Sequence, residues 1–125
     1  MNNTQKIILL SAISLSGISK AQQSQFFADQ EQYRFNLAEN LYQNKIYAAS
    51  QYEFSRQYFY NQNLENSKKE TALFFSNVIG VILGQNYAEQ GLDNFMKEYP
   101  KSALFAQANL PLADYYLAKK DFPKA

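Results

Sequence analysis

Residues 112–125 have the sequence LADYYLAKKDFPKA, and residues 37–50 have the sequence LAENLYQNKIYAAS. A shift of 75 positions aligns the two stretches and matches a Leu-Ala pair followed by an acidic residue, a leucine–tyrosine pair in either order, a lysine and an aromatic residue. Two repeats of about 34 residues and a short insertion give this shift, and residues 61–67 have the turn-forming composition to hold the insertion. The chain therefore repeats a helical unit.

Apolar side chains recur at helical spacing in five segments. The first includes Phe35 and ends at residues 44–45. The next four helices are predicted at residues 47–59, 65–83, 87–99 and 103–119. Residues 78–83 alone would also suit a strand, but they continue a long helical pattern. Turn-forming residues separate the segments, and short connections make consecutive helices antiparallel.

Residues 88–125 carry a pattern that resembles one particular class of repeat protein. A small residue is followed by Phe seven positions later, by Tyr-Pro-x-Ser, and then by Leu-Ala and Lys-Asp-Phe. This pattern resembles tetratricopeptide-repeat (TPR) proteins of the bacterial periplasm, such as those associated with Tol-Pal or with outer-membrane barrel assembly. The matching positions are Tyr99, Pro100, Ser102, Ala108, Leu112, Ala113, Tyr116, Asp121, Phe122 and Ala125.

The resemblance implies an all-α chain of antiparallel helix-turn-helix repeats stacked into an α-solenoid. We expect the array at residues 31–125, as units 31–63, 65–100 and a truncated 103–125. Residues 121–123 resemble the start of a further helix, so we expect a longer multi-TPR protein. Pro111 departs from the pattern because proline inside a helix costs about 3 kcal/mol or kinks it, which leaves the start of the fifth helix open.

The first 21 residues predict a signal peptide. A polar segment with Lys6 precedes an apolar run at residues 7–18, and Ser19-Lys20-Ala21 suits cleavage before Gln22. The run of about 12 residues is shorter than the ~20 that span a bilayer, so a retained anchor is the weaker alternative. We expect a flexible polar lead-in at residues 22–30, a periplasmic or exported protein, and no stable membrane insertion after cleavage.

Composition excludes most catalytic chemistry. The chain has neither His nor Cys, which removes imidazole bases, thiolate nucleophiles and the usual zinc ligands. Lys and Arg number 12 and Asp and Glu 11, so no basic footprint for nucleic acid is present. We expect no enzyme activity, no cofactor or metal, and no small-molecule substrate.

The concave face of a TPR array is lined by the first helix of each pair. Repeat spacing predicts a protein-binding surface of amide and acidic side chains with some apolar ones, suited to an extended or helical polar peptide. Ordinary solvated helix surface is the alternative for the same residues. The predicted set is Gln32, Phe35, Glu39 and Gln43, then Glu70, Leu73 and Asn77, then Gln107, Leu110 and Asp114.

Three further patterns have structural explanations. Gly80 and Gly84 form a GxxxG motif, for which we predict close helix packing and a helix C-cap. Aromatic residues cluster between Tyr52 and Tyr60, where core packing is favoured over a stacking platform because Arg56 is the one cation among them. The carboxylate pairs Asp29 with Glu31 and Glu89 with Asp93 resemble exposed helix acids more than a catalytic pair.

These observations favour a non-catalytic scaffold that binds other envelope proteins on the concave face of a TPR superhelix. Two alternatives keep the same fold. One is the repeat region of an enzyme whose catalytic domain lies downstream, and the other is an assembly factor anchored in the membrane by its leader.

Overall fold

The computed structural model describes residues 19–119, apart from the side chain of Leu110, and all the secondary structure in that range is helical. Helix α1 spans Lys20–Gln43, α2 Tyr47–Tyr60, α3 Asn66–Ile82, α4 Ala88–Glu98 and α5 Leu104–Ala118. The all-α prediction is confirmed, and α2 to α5 begin and end within one residue of the predicted positions. The apolar leader and the helix start predicted at residues 121–123 lie outside the described residues.

The chain divides into two compact units, residues 1–33 and residues 34–125. In the first unit, α1 begins with a capping box. The backbone N–H of Gln22 donates to Ser19 Oγ at 3.2 Å, and the backbone N–H of Ser19 donates to Gln22 Oε1 at 3.0 Å. Residues 22–30 are therefore helical, and the lead-in expected there is corrected to the first turns of α1. The predicted cleavage site lies inside this box.

Within the second unit, α1 and α2 form an antiparallel hairpin. Tyr42 near the end of α1 contacts Tyr47 at the start of α2, with ring centroids 5.8 Å apart. One turn further from the loop, Ser50 Oγ donates to the carbonyl oxygen of Ala38 at 2.7 Å. Residues with higher numbers on α2 contact residues with lower numbers on α1, so the two helices are antiparallel.

The same register relates α3 to α4. A Cβ atom added at Gly80 in α3 would lie 2.8 Å from the Cβ of Ala88, the first residue of α4. Further from the connection, the Phe74 and Phe95 rings are 5.1 Å apart. Small residues therefore allow these helices to approach closely near their shared turn, as predicted for Gly80.

Helix α3 also contacts α1, and here the two helices run parallel. The Tyr42 and Phe75 ring centroids are 4.6 Å apart, and Lys68 Nζ lies 5.5 Å from the centroid of the Phe35 ring. Both pairs are separated by 33 positions in the chain. A constant separation means that α1 and α3 lie side by side in the same direction.

Helix α5 lies against α3 in the same parallel sense. The Phe74 and Phe105 rings are 5.4 Å apart, and Ser102 Oγ donates to Glu70 Oε1 at 2.6 Å. These pairs are 31 and 32 positions apart. Phe75 of α3 also stacks on Phe54 of α2, with ring centroids 5.4 Å apart, so α3 is the central helix of the second unit and contacts each of the other four.

Two helices end in the same left-handed cap. After α1, the Ile46 N–H donates to the Leu41 carbonyl, and Lys45 has a φ of 61°. After α3, the Gln85 N–H donates to the Gly80 carbonyl, and Gly84 has a φ of 70°. Both are Schellman motifs, which confirms the C-cap predicted for Gly84.

Helix α5 continues through Pro111. It starts at Leu104, so the proline does not displace the predicted beginning of the helix. Ala108 in its first half is buried, and Leu112 packs against the core from its second half. Packing against α3 on both sides of the proline offsets the hydrogen bond that its missing N–H removes.

Candidate functional site

The structure keeps the predicted site residues of α1 on the surface, with one exception. Gln32, in the first unit, is exposed. In the second unit Glu39 and Gln43 are exposed, whereas Phe35 is only 4% exposed. Phe35 packs edge-on against Phe54 and is covered by Lys68, so its assignment to the binding surface was wrong. It belongs to the core because its face of α1 meets both α2 and α3.

The predicted site residues of α3 face neighbouring helices and turns, and not an open concave surface. Glu70 accepts the hydrogen bond from Ser102 in the connection between α4 and α5. Asn77 Oδ1 lies so close to Gly91 of α4 that a Cβ there would collide with it. Leu73 is half-buried against the core. The expectation that these three residues line a concave face is corrected, because they face α2, α4 and the turn before α5.

The strip of α3 between α1 and α5 contains other residues. Lys68 and Phe75 contact α1, and Phe74 contacts α5. Helical geometry places Ser67 and Thr71 between these two sets of contacts. Ser67 is exposed and Thr71 half-buried, and the Thr71 hydroxyl donates to the Ser67 carbonyl at 3.0 Å. The sequence prediction missed both residues because neither is at the spacing it assumed.

On α5, Gln107 and Asp114 are exposed and lie seven positions apart, so they share one face of the helix. The core-facing side is marked by Phe105 and Leu112. Tyr116 faces α4, where its hydroxyl donates to Glu89 Oε1 at 3.1 Å. Gln107 and Asp114 therefore lie away from both packed sides of the helix.

We call the exposed or half-buried residues that these three parallel helices carry outside their contacts with one another the α1–α3–α5 face. It carries two carboxylates, two side-chain amides and two hydroxyls, and Lys68 borders it above Phe35. Its chemistry suits the recognition of amides and cations in a partner. The residues are Glu39 and Gln43 of α1, Ser67 and Thr71 of α3, and Gln107 and Asp114 of α5.

Helix α2 carries a second surface of functional interest. Phe54 is fully buried, as predicted for the aromatic series. The prediction was wrong for Tyr52, Phe59 and Tyr60, which are 66%, 71% and 79% exposed. Arg56 lies among them. Exposed aromatic residues beside an arginine are characteristic of interface hot spots.

No group of three or more His, Cys, Asp or Glu side chains within residues 19–119 is placed to hold a metal ion. Comparisons with protein-family models, with curated proteins and with solved structures gave no significant match to this chain. Among the helices that the structure describes, none is long and apolar enough to cross a membrane.

Tyr42 is an unusual group beneath this face. Its hydroxyl is buried and, among the described residues, has no hydrogen-bond partner. Burial, and secondarily the neighbouring Tyr47, raises the pKa of Tyr42 to about 12. Because a buried hydroxyl without a partner costs about 1–3 kcal/mol, we expect Tyr42→Phe at pH 7 to leave the free energy of unfolding unchanged or to raise it by about 1 kcal/mol.

The same substitution should change the response to alkali. A raised pKa in the folded state gives stability that is present below the unfolded pKa of 10 and is lost as pH approaches 12. Urea unfolding at pH 7 and at intervals above pH 9 measures both effects, and the variant should lose less stability than the native protein. Marked destabilisation by Tyr42→Phe at pH 7 would show that the hydroxyl has a partner.

Proposed function

We propose that this protein is a non-catalytic scaffold of the bacterial cell envelope that holds a segment of a partner protein on its α1–α3–α5 face. The observation that carries the proposal is the parallel contact of α3 with both α1 and α5. Helical hairpins that stack in this way are the building principle of TPR arrays, whose first helices bind partners. The envelope location rests on the leader predicted at residues 1–21.

The spacing of the repeat is close to that of a TPR-type unit: the contacts between the parallel helices join residues 31–33 positions apart, and the helix ends are slightly further apart. The last residues of α1, α3 and α5 are Gln43, Ile82 and Ala118, separated by 39 and 36 positions. The total is the shift of 75 seen in the sequence. The usual unit has about 34 residues. The first interval is the longer one because α2 and α3 have 14 and 17 residues, against 11 and 15 for α4 and α5.

The chemistry of the face selects a class of partner. Glu39 and Asp114 supply negative charge from the two outer helices, and Gln43 and Gln107 supply amide donors and acceptors. An extended or helical segment rich in amides and carrying Lys or Arg would be complementary to this arrangement. Repulsion by the two carboxylates disfavours an acidic segment or a free carboxyl terminus.

Affinity capture with charge-reversal variants tests the proposal. The full-length protein, tagged at its C-terminus, is used to isolate envelope proteins, and captured proteins are compared for native protein and the double variant Glu39→Lys/Asp114→Lys. Loss of both carboxylates should weaken the binding of a specific partner about tenfold or more. Asp93→Lys, on the exposed surface of α4, reverses a charge outside the face and serves as the matched control.

A supporting result is a recurrent envelope protein that the native protein and the Asp93 variant retain and the double variant loses. The affinity of the purified partner for each form, measured at low and high salt, then assigns the loss to electrostatics. Equal capture by all three forms, or the absence of a recurrent partner, would contradict the assignment of the α1–α3–α5 face.

A further inference from the structure

A cleft of about 230 Å³ opens between α2 and the turn that connects α3 to α4. It lies on the other side of α3 from Ser67 and Thr71, so it is separate from the α1–α3–α5 face. Side chains from three helices and one turn surround it. Its lining includes Gln51, Phe59, Asn77, Gln85, Asn86 and Tyr87.

Two aromatic rings that are largely outside the core flank the cleft. Phe59 on α2 is 71% exposed, and Tyr87 at the start of α4 is 83% exposed. Tyr87 also has a φ of 68°, a left-handed conformation that bulky residues rarely adopt. Exposure and backbone strain both disfavour an aromatic residue at this position if its role is only to hold the fold together.

Side-chain amides form a fixed polar wall of the cleft. Gln51 Nε2 donates to Gln85 Oε1 at 2.7 Å, and Gln85 Nε2 donates back to Gln51 Oε1 at 2.8 Å. Gln51 Nε2 also donates to the Ser76 carbonyl at 3.0 Å, which ties the pair to α3. Each amide nitrogen has two hydrogens, so Gln85 keeps a second donor in a held position.

Asn77 supplies another such donor. Its Nδ2 donates to the Leu73 carbonyl at 3.0 Å, and its second N–H remains available to a ligand in the cleft. Because both amides are already oriented by bonds within the protein, binding would cost little side-chain entropy. The cleft thus combines oriented N–H donors with exposed rings.

None of the described residues that line the cleft carries a charge. A charged ligand would lose solvation here without gaining a counter-charge. A polyproline II segment has no internal hydrogen bonds, so its carbonyl groups are free to accept, and it presents flat apolar rings every third residue. Such segments bind grooves lined by aromatic side chains.

From this arrangement we propose that the cleft between Phe59 and Tyr87 binds an uncharged proline-rich segment of another protein in the polyproline II conformation. Proline rings pack on Phe59 and Tyr87, and the free N–H groups of Gln85 and Asn77 donate to the peptide carbonyls. A neutral sugar is less well matched, because its hydroxyls need strong acceptors as well as donors, and no carboxylate is among the described lining residues.

The binding of a capped, fluorescein-labelled decaproline peptide to the full chain tests this site by fluorescence anisotropy. We expect saturable binding that is weakened about fivefold or more by Phe59→Ser and by Tyr87→Asn. Asparagine tolerates the left-handed backbone at position 87, so that variant should fold even if the other does not. Tyr60→Ser is the matched control, since Tyr60 is an exposed ring next to Phe59 that does not line the cleft.

Saturable binding lost in both cleft variants and retained in Tyr60→Ser would support the proposal. Three results would overturn it: no saturation below about 1 mM peptide, binding that the cleft variants leave unchanged, or displacement of the peptide by maltohexaose, which would make the cleft a sugar site. Failure here leaves the α1–α3–α5 face untouched, because the experiment uses neither its residues nor its partner.

Discussion

Replacing Phe74 with alanine is expected to lower the free energy of unfolding by about 3–5 kcal/mol. Phe74 is fully buried and has ring contacts with Phe75, Phe95 and Phe105, at centroid distances of 5.1–5.4 Å. It therefore joins α3 to both α4 and α5. Folded domains have a total free energy of unfolding of about 5–15 kcal/mol. If this protein lies at the lower end of that range, the substitution removes nearly all of its stability.

Urea unfolding followed by circular dichroism measures the change. Phe59→Ala is the matched control, because it removes the same ring from a position that is 71% exposed, and it should shift stability by less than about 1 kcal/mol. If Phe74→Ala and Phe59→Ala had similar effects, the packing of α4 and α5 around Phe74 would be contradicted.

Gly80→Val should destabilise the protein by about 2–3 kcal/mol through overpacking. A Cβ at position 80 would lie 2.8 Å from the Cβ of Ala88, and 3.1 and 3.4 Å from side-chain atoms of Gln85 and Gln51. The glutamine side chains can move, but the Ala88 Cβ is fixed to the backbone of α4. The two helices must therefore separate, and the change in thermal midpoint measures the cost.

A compensating pair of substitutions isolates the cause. Gly80→Ala alone should also destabilise, whereas Gly80→Ala combined with Ala88→Gly moves the methyl group from α4 to α3 and should recover most of the loss. If the destabilisation of the double variant equalled the sum of the two single changes, the two positions would not be coupled. The close approach of α3 and α4 at this point would then be contradicted.

The ends of α2 to α5 could be predicted because local signals in the chain mark them. Asn61 to Asn63, Gly84 to Asn86 and Pro100 to Ser102 all have strong turn preferences, and the structure places connections there. The start of α1 was missed, although Ser19 and Gln22 have the spacing of a capping box. Those residues overlap Ser19-Lys20-Ala21, whose small side chains also fit a signal-peptidase site, so the local sequence is compatible with both interpretations.

The direction of α3 could not be predicted from its sequence. Apolar residues occupy most sides of this helix, because it contacts α1, α2, α4 and α5. The spacing of apolar residues then no longer identifies one exposed side of the helix. The site was therefore predicted from the usual TPR spacing, which selects Glu70 and Asn77. The exposure of Phe59 was missed for a related reason, since aromatic residues occur all around α2 and only the packing shows which are covered.

The α1–α3–α5 face exists only if the helical hairpins stack with α1, α3 and α5 side by side. Nuclear Overhauser contacts between aromatic ring protons of the full chain test it directly. The rings of Tyr42 and Phe75, and of Phe74 and Phe105, should give cross-peaks at centroid distances of 4.6 and 5.4 Å. Absence of both, with the Phe74–Phe75 cross-peak present as a control at 5.3 Å, would contradict the stack.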